Sequence, residues 1–378
     1  MKRRITYIVL LSALLGACSG DYTLDMERPD SPSPSVDGIA QPGVLTAAEW
    51  NDAENWSFWK GLHSNNEDLI NTIDFWGIDA IDRFPVRVLN ASGQAVINAQ
   101  VDLLDEFGAV MWSTITDNAG EATLWADVFA QQTNPDRIRI QYGGQTAFIR
   151  QLSESVQELN MDVNIVHPSQ VQIMFAVDAT GSMGDELEFL KVELRDVIQR
   201  VSSGLGVNRS ISTGAVVYRD KGDDYVTLHQ NMSASPDFTI GFLQDQFAGG
   251  GGDFPEAVDS ALSVCINSQN WLPGARTRLV FLMLDAPPHY ERDVVENIQN
   301  HVEKAAQLGI KIIPITASGI NKETEFLMRL MALPTGGTYV FITDDSGVGN
   351  DHLEPTVGTY EVEYLNDLLV RLITEYAE

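Results

Sequence analysis

Cysteine is nearly absent from this chain of 378 residues: there are 2, Cys18 and Cys265. A fold stapled by a disulfide framework is therefore excluded. Positive charge is also scarce. Lys and Arg number 24 against 53 Asp and Glu, for a formal net charge of -29. Such a surface repels nucleic acid and anionic lipid headgroups, and suits solubility, bound cations or cationic partners. No run beyond the N-terminus is long and apolar enough to span a bilayer, and there is no internal repeat. Signatures of catalysis are missing too. No Gly-x-Ser-x-Gly elbow offers a hydrolase nucleophile. The glycine loop at 249–252 lacks the Lys-Ser/Thr of a phosphate-binding loop, so no nucleotide is expected. Thr180 stands where an Asp-x-Asp phosphohydrolase needs its general acid. The chain is expected not to be an enzyme.

What is present begins with an export pattern. Lys2, Arg3 and Arg4 precede an apolar stretch at 5–16 that is too short to cross a membrane. It ends in Leu15-Gly16-Ala17-Cys18, which resembles the bacterial lipoprotein signal. The resemblance implies a signal peptide over 1–17, cleavage before Cys18, acylation of Cys18, and an extracytoplasmic protein anchored to the envelope by lipid. Ser19 fits sorting to the outer membrane. Removing the three basic residues leaves a mature net charge of about -32. With Cys18 acylated, no disulfide can form within the chain. Cys265 lies in an apolar helical pattern and reads as a small buried residue.

The rest divides by composition. Residues 18–44 contain a Pro/Ser-rich tether, PDSPSPSVDG. Residues 45–82 form a Trp-rich segment expected to be helical, with Thr46 and Glu49 in capping-box spacing. Trp50, Trp56 and Trp59 would share one side and pack against a neighbour. Residues 83–167 hold seven short apolar runs separated by turn signals such as TDNAGE, a pattern expected of a small β-sandwich. The stretch NAQVDLLDEFGAVMWSTITDNAGEATL resembles the carboxypeptidase-regulatory or prealbumin-like β-sandwich family. That resemblance implies a spacer or adhesive module. Over 170–378, apolar strands alternate with amphipathic helices, which predicts an α/β doubly wound, Rossmann-like domain. The whole is thus read as multidomain.

The chemistry concentrates where apolar strands end. FAVDATGSMGDE leaves its strand at Asp178 and at once presents Thr180 and Ser182. RLVFLMLD ends at Asp285, and between them AGGGGDFPEAVDSAL carries Asp253 and Glu256. Ligands of open α/β sheets bind outside the carboxyl ends of strands. If the two Asp-ended strands are neighbours, carboxylates and hydroxyls on three loops form the all-oxygen setting that a hard cation prefers. YRDKGDDY at 218–225 reads as a solvated rim, and His289 as a loop-stabilising side chain. Asp344, Asp345 and His352 form a weaker second candidate for a metal.

Asp178-x-Thr180-x-Ser182 resembles the opening signature of the von Willebrand factor A domain and its metal-ion-dependent adhesion site. The resemblance covers about 170–376, and GGGGDFPEAVDSAL and LMLDAPPHY look like that site's second and third loops. It implies Mg²⁺, or Mn²⁺ or Ca²⁺, held directly by Thr180 and Ser182, with Asp178 direct or through water and Asp285 through water. In the second loop the family's usual Thr is replaced. Counting back from Ala261-Leu262 puts Glu256 at that position, with Asp253 as rival. The resemblance further implies an open metal position taken by an Asp or Glu of a protein partner, hence metal-dependent adhesion. The alternatives are a metal-dependent hydrolase on a similar sheet and a structural envelope spacer.

Overall fold

The computed structural model describes residues 41–129, 134–205, 209–349 and 352–378. The signal segment, Cys18, Ser19 and the Pro/Ser-rich stretch lie outside the described residues.

Strand β1 (Thr46–Trp50) comes first, then helices α1 (Trp56–Asn65) and α2 (Glu67–Trp76). Seven strands follow: β2 (Asp82–Asn90), β3 (Gln100–Asp105), β4 (Val110–Ile115), β5 (Glu121–Ala126), β6 (Pro135–Tyr142), β7 (Gln145–Ile149) and β8 (Gln157–Met161). They coincide with the seven apolar runs and form two small sheets, ordered β5-β2-β8 and β4-β3-β6-β7. Turn chemistry separates them as expected. In TDNAGE, Asp117 Oδ1 accepts from the backbone N–H of Ala119 and of Glu121, both at 3.0 Å, closing the β4–β5 connection.

The remaining elements are β9 (Gln170–Asp178), α3 (Gly184–Gly204), β10 (Ser210–Tyr218), β11 (Thr227–Ser233), α4 (Pro236–Gln244), α5 (Val258–Asn267), β12 (Thr277–Leu284), α6 (Arg292–Leu308), β13 (Ile310–Thr316), α7 (Lys322–Ala332), β14 (Tyr339–Ile342), β15 (Val362–Tyr364) and α8 (Leu365–Ala377). Among the described residues they build a sheet of eight strands, ordered β11-β10-β9-β12-β13-β14-β1-β15. β10, β9, β12, β13 and β14 run parallel; β11, β1 and β15 each pair antiparallel with a neighbour. Alternation along β9 sorts the two faces. Val171, Ile173, Phe175 and Val177 pack with apolar residues of α3, α4 and α8, whereas Met174 and Ala176 pack with those of α5, α6 and α7. The sheet is thus covered on both sides, which explains its uninterrupted apolar strands. Cys265 is buried on α5 as expected, and burial pushes its thiol pKa up. No helix of the described residues is long and apolar enough to cross a membrane.

Two expectations are corrected. Thr46 does not start a helix: 46–50 is a strand inserted between β14 and β15. A capping box is a local preference of about 1 kcal/mol. Against it, the strand buries Leu45, Ala47, Ala48 and Trp50 completely or nearly so and pairs the free edge of β14. Glu49 turns instead to Arg371, at 3.0 Å. Trp50, Trp56 and Trp59 accordingly do not share one helix, although all three are buried, the packing role expected of them. The small sheets and the large sheet share a core. One apolar cluster runs from Trp112, Trp125 and Ile138 of the small sheets to Val280, Leu282 and Ile298 of the large sheet and α6. Residues 40–378 are one compact unit.

Candidate metal centre

β9 and β12 are parallel neighbours, with Val177 opposite Met283, so their carboxyl ends deliver Asp178 and Asp285 to one place. The order also reverses there: the chain steps from β9 to β10 on one side and to β12 on the other. This is the topological switch point at which open α/β sheets place their ligands.

The first loop is ordered by its own side chains. Asp178 Oδ1 accepts from the Thr180 N–H at 2.8 Å and from the Thr180 hydroxyl at 2.7 Å. Thr180 Oγ1 and Ser182 Oγ lie 3.1 Å apart. A single 3-10 turn, Gly181–Met183, then leads into α3. Gly181 donates its N–H to Gly250 O at 3.2 Å, and a Cβ there would sit 3.0 Å from that oxygen. Glycine lets the two loops approach this closely without crowding. Gly251, at φ +71°, faces Glu256 and Thr180: its Cβ would lie 3.1 Å from Glu256 Oε1 and 3.3 Å from Thr180 Cβ. That glycine brings the second-loop carboxylate to the first loop. The third loop joins through Glu256 N–H, which donates to Pro287 O at 2.9 Å.

Five of the six residues singled out in the sequence therefore converge: Asp178, Thr180, Ser182, Glu256 and Asp285. Asp253 does not. It is exposed, and it is absent from the carboxylates whose charge acts on Glu256, namely Asp178, Asp220, Asp285 and Asp223. The three converging carboxylates are 0%, 2% and 4% exposed for Asp178, Glu256 and Asp285. Ser182 is exposed at the mouth.

Each carboxylate keeps one buried oxygen without a hydrogen-bond partner: Asp178 Oδ2, Glu256 Oε2 and Asp285 Oδ1. None of them forms an ion pair with Lys, Arg or His among the described residues. Burial first, and then the Asp178 charge, push the Glu256 carboxyl up to about 9. Burial, with mutual repulsion, holds Asp178 above the usual carboxylate range. Asp285 is raised by burial, and the nearby Ser182 hydroxyl partly offsets this. An unpaired buried carboxylate is costly, and a divalent cation would relieve three at once. The donor set, carboxylates plus two hydroxyls, is of the hard-oxygen kind such a cation takes. Among the described residues no three His, Cys, Asp or Glu side chains converge tightly enough to hold an ion by themselves, so the hydroxyls are integral to the fit.

Sequence reasoning missed the frame behind these residues. Rather than a solvated rim, 219–223 is a brace. Arg219 donates to Ala179 O at 3.1 Å and to Phe247 O at 2.7 Å, tying the first loop to the glycine loop. Asp223 Oδ2 accepts from Gly251 N–H at 2.8 Å. Asp220 is buried and bonds His289 Nε2, which gives His289 the loop-stabilising role expected of it. Tyr218, fully buried, lies opposite Asp178 in the parallel register. The available signal was position: the loop follows β10, the strand beside β9. In the second candidate cluster, Asp344 Oδ1 accepts from the N–H of His352 at 2.9 Å and lies 2.8 Å from its Nδ1, so that carboxylate is engaged within its own loop.

Residues 172–353, just under half of the chain, match the von Willebrand factor type A domain. An ariadne-like RING finger protein of Acanthamoeba polyphaga mimivirus is 30% identical over 133 residues, 35% of this chain and 12% of that protein. The alpha-protein kinase vwkA of Dictyostelium discoideum is 29% identical over 146 residues, 37% of this chain and 22% of the kinase. The chain thus spans under a quarter of the length of either curated relative. Among solved structures, the pilus adhesin SpaC from Lactobacillus rhamnosus GG, in its open conformation, shares 12% identity at a TM-score of 0.38, over 56% of this chain and 30% of that one.

Proposed function

We propose that this von Willebrand factor A domain is a divalent-cation-dependent protein-binding module, adhesive rather than catalytic, on a chain tethered to the bacterial envelope through acylated Cys18. The observation that carries the metal reading is the trio of buried, partnerless oxygens on Asp178, Glu256 and Asp285 around the Thr180 and Ser182 hydroxyls. Thr180, Ser182 and Glu256 would hold Mg²⁺, Mn²⁺ or Ca²⁺, with Asp178 and Asp285 supporting it directly or through water. When bound, the cation supplies positive charge at the mouth of a strongly acidic protein, enough to accept an Asp or Glu of a partner. An acidic second-loop residue leaves less charge for that guest than a Thr would, so modest partner affinity is expected. Arg219 and Asp223 keep the loops in place, and the exposed Ser182 marks the side from which the partner's carboxylate arrives.

Titration calorimetry with Mg²⁺, Mn²⁺ and Ca²⁺ tests the metal. Binding that is lost in Asp178→Asn and Ser182→Ala supports the reading, and no heat with any of the three ions overturns it. A pull-down from envelope extract with Mg²⁺ against EDTA tests the partner. Cation-independent recovery of the same proteins would favour a structural spacer. Fractionation with Cys18→Ser tests the anchor, which should release the protein from the membrane.

A further inference from the structure

A crevice beside the third loop has chemistry of its own. One face of α2 presents Asp68, Asn71, Thr72 and Phe75 at helical spacing. Opposite stand Tyr290 and Glu323, the latter in the first turn of α7. These six residues line a cavity of about 370 Å³. Phe75 and Tyr290 are 45% and 38% exposed and meet edge to face at 5.5 Å between ring centres. Buried Trp76 backs both rings and donates its indole N–H to Glu323 Oε1 at 3.2 Å, while the Tyr290 hydroxyl donates to Glu323 Oε2 at 3.4 Å. Glu323 is thereby aimed. The Asp68 carboxylate makes no hydrogen bond or ion pair among the described residues.

No Lys, Arg or His lines the cavity. Lys322, adjacent in sequence to Glu323, is already committed to Glu325 at 2.8 Å and to Thr356 at 2.8 Å. Acids in first turns favour their helices through the backbone dipole. That accounts for Asp68 and Glu323 individually, but not for two exposed aromatic rings set between them. Ring faces with carboxylates alongside are what an ammonium or guanidinium seeks. The crevice is also tied to the metal centre by chain. Asp285 and Tyr290 are five residues apart, so their Cα atoms are separated by at most about 18 Å. The segment between is held by Pro287 O and by His289 on Asp220.

We propose that this crevice receives a lysine or arginine side chain of the same protein partner whose carboxylate meets the metal centre. The proposal rests on the function proposed above, and it defines the partner further: one short segment carrying both an acid and a base.

Two measurements separate the two readings. In the first, the metal-free protein in EDTA is titrated with N-acetyl-arginine amide and N-acetyl-glutamine amide, followed by NMR. The arginine amide should bind and the glutamine amide should not. Asp68→Asn and Phe75→Ala, both at exposed positions, should each weaken binding by about threefold or more. Equal binding of the two amides, or no effect of either variant in correctly folded protein, overturns the crevice. In the second, peptides carrying one Asp and one Arg across short spacers are titrated with Mg²⁺ and with EDTA. At the best spacing, Mg²⁺ should tighten binding about tenfold or more, and replacing the peptide Arg by Gln should weaken it in both conditions. If the arginine amide binds but Mg²⁺ adds nothing for any spacer, the metal-centre reading fails and the cation crevice stands. If Mg²⁺ tightens the peptides but their Arg contributes nothing, the crevice proposal fails alone.

Discussion

Two of the clusters of buried acidic side chains among the described residues are treated oppositely. Beneath α7, Asp52 and Glu325 are buried around Arg329, which is itself fully buried. Arg329 donates to Asp52 Oδ2 at 2.9 Å and Oδ1 at 2.7 Å, and to Glu325 Oε1 at 3.0 Å. The Trp50 indole donates to Asp52, and the Thr356 N–H and hydroxyl and Lys322 donate to Glu325. At the rim of the same sheet, Asp178, Glu256 and Asp285 are equally buried and have no cation from the chain. The first cluster pairs its buried carboxylates with a guanidinium of the chain. The second cluster, where the strands end, keeps its carboxyls partly unpaired, which fits the metal reading proposed above.

The largest test of that contrast is Arg329→Met. It removes the charge partner of Asp52 and leaves Glu325 with Lys322 and Thr356 alone, and it should cost about 3–5 kcal/mol in urea unfolding. A loss under about 1 kcal/mol would mean the network is not what holds those acids. Next is Asp178→Asn with and without Mg²⁺. At a Mg²⁺ concentration a hundredfold above its dissociation constant, the wild type should gain about 2.7 kcal/mol. The variant should lose most of that gain, yet be at least as stable as wild type in EDTA, because a buried charge is gone. A variant destabilised in EDTA would make Asp178 a structural acid like Asp52.

The third test is pH. The folded-state pKa of Glu256 lies above its ordinary value of 4.5, at about 9, so the folded protein binds the extra proton. Its contribution is therefore fully favourable below about 4.5 and declines as pH rises towards 9. In EDTA, wild-type stability relative to Glu256→Gln should fall across that window. The increment from Mg²⁺ should grow over the same range, since the cation competes with protons for the same oxygens. A flat difference would place Glu256 outside the site. The smallest effect is Ser182→Ala. At this exposed position, stability in EDTA should change by under about 0.5 kcal/mol. Binding of metal and partner should nevertheless drop, as calorimetry would report.

Much of this was legible along the chain because the signals are local. Apolar runs in β9 and β12 ending in Asp, hydroxyls at alternate positions after Asp178, and a glycine loop before an amphipathic helix are patterns of a few residues each. The seven strands between 82 and 161 were found for the same reason: alternation and turn residues operate over short stretches. The misses were cases of distant pairing. The capping-box pattern at Thr46 is real as a preference, but the partner that decides the conformation, β14, lies almost three hundred residues away. That Glu256 is buried against the first loop while Asp253 is exposed depends on Gly251 and Pro287, a matter of three-dimensional packing.

The sequence by itself determined the alternating architecture of the C-terminal half, the residue types at its strand ends, and the acidic excess. Those properties reside in periodicity, composition and short spacing, which no folding step alters. Only the tertiary structure decided that β9 and β12 are neighbours, that Arg219 and Asp223 brace the glycine loop, that 46–50 belongs to the large sheet, and that α2 and Tyr290 enclose a crevice. Each of these depends on long-range burial and pairing, where a few kcal/mol of shared contact outweighs any local preference.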